Sequence, residues 1–211
     1  METSANYTSH IGFMKQLKTN SSREAMQAPY SKEFEAIYQE AQQKDVKLSN
    51  AKEFLNTLST DQLSTLQHYT GLADSINVDQ LSNEGAYNLL MHDYEKYDFN
   101  GDGMVQNGIG NMGSVIPTNM SNSMKQSYVD ALNSLDESQR LDAIGLSLLS
   151  AGPLNVAGNH STPYSAKPLT YDLLASSVNA VLHPTHGAYS SPELQNSISL
   201  FWENFQKSYN N

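Results

Sequence analysis

The stretch NEGAYNLLMHDYEKYDFNGDGMVQ, residues 83–106, holds the turning point of the chain. Up to Tyr97 the apolar side chains Ala86, Tyr87, Leu89, Leu90, Tyr94 and Tyr97 recur at helical spacing. That period marks an amphipathic helix with one buried face, started by Ser82 or Asn83. At Asp98 the period fails. Gly, Asn and Met dominate residues 98–120, which predicts a long irregular loop with short strands at Met104–Val105 and Val115–Ile116. Loops of that length in compact domains are usually functional or disordered.

Working outward, the same helical period returns on both sides. Before the turning point, a helix opens at Pro29 and Ser31 with Phe34, Ile37, Tyr38 and Ala41 on one face. A second starts at Ser49 and buries Ala51, Phe54, Leu55 and Leu58, and a third, capped by Thr60, aligns Leu63, Leu66 and Tyr69 before Gly71 stops it. Val78–Leu81 read as a short helical turn. After the loop, Ser121 opens a helix with Met124, Tyr128, Leu132 and Leu135 on one face. Ser134 and Glu137 suggest a capping box for the next, which carries Leu141, Ile144, Leu148 and Leu149. Thr170 starts a helix that Pro184 ends, and Ser191-Pro192-Glu193 is the clearest helix start in the chain, followed by Leu194, Ile198, Phe201, Trp202 and Phe205. The fold class is therefore mainly α, a bundle of about 7–8 helices interrupted by the loop at 98–120. Residues 1–28, rich in Ser, Thr, Asn and Gln, read as a flexible arm with one helical turn near Ile11–Leu17. Residues 29–211 read as a single helical domain, with 151–169 a loop or linker before the last two helices.

Composition narrows the functions. The chain has 211 residues and a net charge of -10, from 22 acidic and 12 basic residues. No Lys/Arg cluster of the kind that binds phosphate backbones is present, so neither nucleic acid nor an anionic membrane surface is an expected partner. With no cysteine there is no disulfide, thiol nucleophile or thiolate metal site. The N-terminal sequence lacks the basic start and apolar run of a cleavable signal peptide, and no apolar run reaches the roughly 18 residues of a membrane span.

The chemistry sits in DFNGDGMVQ, Asp98–Gln106. A hard cation such as calcium takes six to eight oxygen ligands, and a short loop supplies them when alternate side chains point inward and the backbone turns sharply between them. Asp98, Asn100 and Asp102 alternate, Gly103 stands where the turn is needed, the carbonyl of Met104 follows, and Gln106 can reach the ion directly or through water. Val105 is the apolar residue that points away. The run resembles the loop of EF-hand and dockerin-type calcium-binding modules. That resemblance covers the loop and the helix before it, and implies side-chain ligation by Asp98, Asn100 and Asp102, backbone ligation by Met104 and a ninth-position contact from Gln106. Two features depart from the pattern. Ile109 stands at the twelfth position, where the family has a bidentate carboxylate, and NGIGNMGSVIP does not read as an outgoing helix. Glu95, Asp93 and Asp130 are candidates for the missing acid. Two loop carboxylates imply weak affinity, on the order of 0.1–1 mM, which suits an extracellular setting. Asn-Gly and Asp-Gly also form tight turns without any metal.

Other constellations are weaker. His183 and His186, with His160, contain a potential zinc set, but Pro184 breaks the helix between the first two and no Glu accompanies them. His92-Asp93 is not a dyad by adjacency, GIGNMG follows no buried strand, and Trp202 lies on the stripe of Phe201 and Phe205. No catalytic residue is assigned. The leading expectation is a non-enzymatic calcium-binding helical protein in which Ca2+ orders residues 98–109. The alternatives are a helical interaction or exported surface factor with a protein partner, and an enzyme with a dispersed site.

Overall fold

The computed structural model describes residues 4–150, 168–184 and 190–211, and of 147–150 the backbone alone. Among these residues the chain is mainly helical, with one two-stranded sheet, as its periodicity requires. No helix there is long and apolar enough to cross a membrane. The chain divides into two compact units rather than the single domain expected over 29–211.

The first unit comprises residues 1–11, 19–100 and 104–112. It holds α2 (Ser21–Gln27), α3 (Ser31–Gln43), α4 (Ala51–Leu55), α5 (Thr60–Thr70) and α6 (Asn83–Leu89). The strand β1 (Met104–Asn107) belongs to it, as does most of β2 (Gly110–Gly113). Its core gathers Phe34 and Ile37 of α3, Phe54 and Leu55 of α4, Leu66 of α5, and Ala86, Tyr87 and Leu89 of α6. Each large apolar side chain buried there contributes roughly 1.5–3 kcal/mol. Local signals set the ends: Ser59 and Gln62 form a reciprocal capping box on α5, one residue earlier than the Thr60 cap expected, and Gly71 closes that helix at φ 78°.

The N-terminal arm expected to be flexible is instead helical. It forms α1 (Ala5–Met14) and α2, and Tyr7 and His10 are buried at 2% and 0% exposure. The sequence hides this because few apolar residues mark the arm and its anchors are tertiary. The Tyr7 hydroxyl donates to the Glu95 carbonyl at 3.2 Å, its ring packs on Tyr97 and Phe99, and Arg23 of α2 makes a two-pronged ion pair with Asp93 at 2.8 and 2.9 Å.

The second unit comprises residues 12–18, 101–103 and 113–211. It is built on α7 (Asn122–Ser134), α8 (Glu137–Ser150), α9 (Tyr171–Leu182) and α10 (Pro192–Tyr209). Tyr128, Ala131 and Leu132 of α7 meet Ile198, Phe201 and Phe205 of α10, all at 0% exposure, with the Tyr128 and Phe201 rings edge-on at 5.2 Å. The start of α8 differs from the expected Ser134–Glu137 box. Asp136 accepts from the Gln139 amide at 2.9 Å while the Gln139 side chain accepts from the Asp136 amide at 3.2 Å, so the same device sits two residues further on. Ser191 caps α10 with Pro192 in its first turn, as the sequence predicts. The expected connection at 151–169 lies, apart from its last two residues, outside the described residues, as do His160 and His186.

A candidate metal loop and the helix that holds it

The loop begins on α6. Ser82 caps this helix by accepting from the Gly85 amide at 2.9 Å. The helix then ends at Leu89, not at Tyr97 as the period suggested, and a 3-10 turn at Asp93–Glu95 replaces its last turns. The cause is Asn88. Its buried carboxamide accepts from the Tyr97 amide at 3.2 Å and donates to the Tyr97 carbonyl at 3.0 Å, bonds that fold the chain back instead of continuing the helix. The apolar spacing runs on because Tyr94 and Tyr97 pack outside the helix, Tyr94 on His92 and Tyr97 on Tyr7 and Phe99.

From Asp98 the backbone turns twice at glycine. Gly101 has φ 75° and Gly103 has φ 86°, values that a side chain disfavours. Residues 101–103 group with the second unit and the rest of the loop with the first. Met104 then starts β1, and Val105 is buried at 5% exposure. Gly108 (φ 64°) and Ile109 connect β1 to β2 as a two-residue hairpin, with glycine at the first central position as a type II′ turn requires. The expected second strand at Val115–Ile116 is absent; β2 is Gly110–Gly113, and Ile116 is a buried core residue. GIGNMG is therefore hairpin turn and strand, not a turn opening a helix.

Two α6 side chains that the sequence reading passed over, Glu84 and Asn88, hold this loop. One oxygen of the Glu84 carboxylate accepts from the Phe99 and Asn100 amides at 3.0 and 3.1 Å, and the other from the Gln106 amide at 2.8 Å. Asn88 also donates to the Gln106 carbonyl at 2.7 Å. The helix comes this near because residue 85 is glycine: a Cβ there would lie 2.1 Å from the Gly108 carbonyl oxygen, and the Gly108 amide donates to the Gly85 carbonyl at 3.0 Å. Burial pushes the Glu84 carboxyl up to about 7, against the three amide donors, and the charge of nearby Asp98 adds to the rise. The sequence signal available was an acid and an amide four residues apart, thus on one helix face, directly before the loop. A Glu in a first helical turn is ordinarily explained by the helix dipole, which masked it.

The expected ligands differ in their surroundings. Asp98 is buried at 5% exposure, Asn100 is exposed, and Asp102, Met104 and Gln106 are half-buried. The Gln106 side-chain oxygen accepts from the Ser82 hydroxyl, so the helix cap also holds this side chain. Among the described residues no group of three or more His, Asp or Glu side chains gathers as a metal site. Any ion here must draw on amide, peptide and water oxygens as well as on Asp98 and Asp102.

The acids considered as replacements for Ile109 have other partners. Asp93 pairs with Arg23 and Lys96, Glu95 accepts from the Tyr38 hydroxyl at 3.0 Å, and Asp130 accepts from Gln126 at 3.0 Å and Ser208 at 2.6 Å. His92 packs among the rings of Phe34, Tyr38 and Tyr94, and lies 3.3 Å from Glu35. His183 ends α9, its amide donating to the Asn179 carbonyl. Trp202 is half-buried, stacked on Phe205 with ring centroids 5.4 Å apart.

Compared with family models, curated proteins and solved structures, the chain matches none.

Proposed function

We propose that this is a non-enzymatic calcium-binding helical protein whose ion site is the loop Asp98–Gln106. The observation that carries the reading is the backbone of that run. Glycines at positive φ follow both Asn100 and Asp102, and the chain passes straight into a strand with Val105 turned into the core. This is the sequence of turns that lets Asp98, Asn100 and Asp102 supply alternate side chains and Met104 a carbonyl. With two carboxylates in the set, the ion binds weakly, in the range of about 0.1–1 mM that extracellular modules use. Gln106, whose side-chain oxygen accepts from the Ser82 hydroxyl, completes the set directly or through water.

Terbium luminescence tests the reading, since Tyr97 is adjacent to the loop and can sensitise it. Titration should give a saturable signal that millimolar calcium displaces, and Asp98→Asn with Asp102→Asn should remove it. A full signal from the double variant, or none from the native protein at millimolar ion, sinks the proposal. The interaction-protein alternative draws on the hairpin, where Ile109 and Met112 are 56% and 50% exposed. A partner protein retained in EDTA would favour it.

A further inference from the structure

Glu84 does more than a helix-start acid needs to do. Its side chain is buried at 5% exposure, yet its carboxylate accepts three backbone amides, those of Phe99, Asn100 and Gln106. A trans peptide sends its carbonyl opposite to its N–H. These three bonds therefore fix three peptide planes and aim the carbonyls of Asp98, Phe99 and Val105 away from Glu84. Asn88, one helical turn on, holds the flanks through both backbone groups of Tyr97 and the carbonyl of Gln106. The entry to the loop and its exit are thus tied to one face of α6. Gly85 lies between the two, which lets the backbones approach closely enough for these side chains to reach.

We propose that Glu84 is the positioning residue of the calcium loop: it sets the loop's shape without ligating the ion, so the loop stands formed before calcium arrives. This inference rests on the calcium reading above and refines it. Calcium stabilises a standing loop instead of ordering a loose one. A preformed loop loses little conformational freedom on binding, which offsets part of the weakness of a site with only two carboxylates.

Amide hydrogen exchange on the full chain, followed by NMR in EDTA and in calcium, tests this together with terbium binding by Glu84→Gln. In EDTA the native amides of Phe99, Asn100 and Gln106 should already be protected, and calcium should add little. Glu84→Gln should speed their exchange at least tenfold while the amides of α10 stay protected. It should also weaken terbium about tenfold, with no change in the number of waters on the bound ion read from luminescence lifetimes in H2O and D2O. Native amides that exchange freely in EDTA and gain protection only with calcium would overturn the proposal, whether or not the variant folds. Extra waters on terbium in Glu84→Gln would overturn it too, because Glu84 would then be a ligand. Protected amides in a chain that binds neither ion at millimolar concentration would sink the calcium reading, and Glu84's part in ion binding with it. They would leave its hold on the backbone intact.

Discussion

The junction of α6 with β1 and the pairing of α7 with α10 are both buried, but they are held by different forces. Between α7 and α10 the contacts are apolar and aromatic: Tyr128 and Leu132 against Ile198, Phe201 and Phe205, all at 0% exposure. Such packing is non-directional and tolerates small adjustments of one helix on the other. Between α6 and the loop the links are hydrogen bonds that the Glu84 carboxylate accepts from backbone amides and that the Asn88 carboxamide exchanges with backbone groups, with a glycine at the closest approach. Those bonds are directional, and an unmade one leaves a buried polar group stranded. The first arrangement contributes stability, and the second specifies a backbone path. A loop that must keep one backbone path needs the second kind of support.

The largest effect should come from the apolar pairing. Phe201→Ala removes a fully buried ring and should cost about 3–5 kcal/mol in chemical denaturation followed by circular dichroism. Terbium binding by the fraction still folded should be unchanged. A loss of ion affinity in this variant would mean that the two kinds of support are not separable.

Asn88→Ala should do the reverse. It strands the Tyr97 amide and carbonyl and the Gln106 carbonyl, at a cost of about 1–3 kcal/mol. Its signature should be a drop in terbium affinity at temperatures where the fold is intact. Unchanged affinity would show that the loop keeps its path without the α6 carboxamide.

The contrast also explains what could be read from the chain. Helices from residue 31 onward were legible because their stability comes from an apolar stripe, and a stripe is periodic in sequence. The α1 and α2 helices were not, because single tertiary contacts such as Tyr7 to Glu95 and Arg23 to Asp93 fix them. The loop's glycine turns at Gly101 and Gly103 were legible because turn chemistry is local. Glu84 and Asn88 were invisible as a clamp, since their partners lie 9 to 22 residues away and their helix looked as if it ran on to Tyr97. A polar side chain leaves no periodic trace of what it bonds.

A smaller effect should appear in acid. Burial alone would raise the Asp93 carboxyl, but Lys96 and Arg23 overrule it and hold it well below the ordinary carboxylate range. The folded state therefore keeps this group ionised when the unfolded chain has begun to take up a proton. Its stabilisation is complete above about pH 4, the ordinary value, and is lost progressively as the pH falls below it. Since the Asp93 side chain is 40% exposed, solvent screens the pair and the contribution should be of order 1 kcal/mol. Acid titration of stability should be shallower below pH 4 in Asp93→Asn than in the native chain, and equal slopes would remove Asp93 from the account.

The smallest effect on the fold should come from Ile109→Glu, and it bears most directly on the comparison. Ile109 is 56% exposed, so its replacement should change stability by no more than about 0.5 kcal/mol. In the calcium-binding modules that the loop resembles, an acid at this position would return to the ion on an outgoing helix. Here β1 carries the chain outward from Met104, and Gly108 and Ile109 form the tip of a hairpin. At about 3.3 Å per residue, the three steps of β1 from Met104 to Asn107 carry the chain roughly 10 Å from the Met104 end of the loop, and Ile109 lies past that far end, beyond the reach of a carboxylate. Terbium and calcium affinities of Ile109→Glu should therefore equal those of the native chain. A tenfold gain would mean that the segment after Asn107 can swing back to the ion, and then the bonds from α6 would be a resting arrangement of the loop instead of its fixed support.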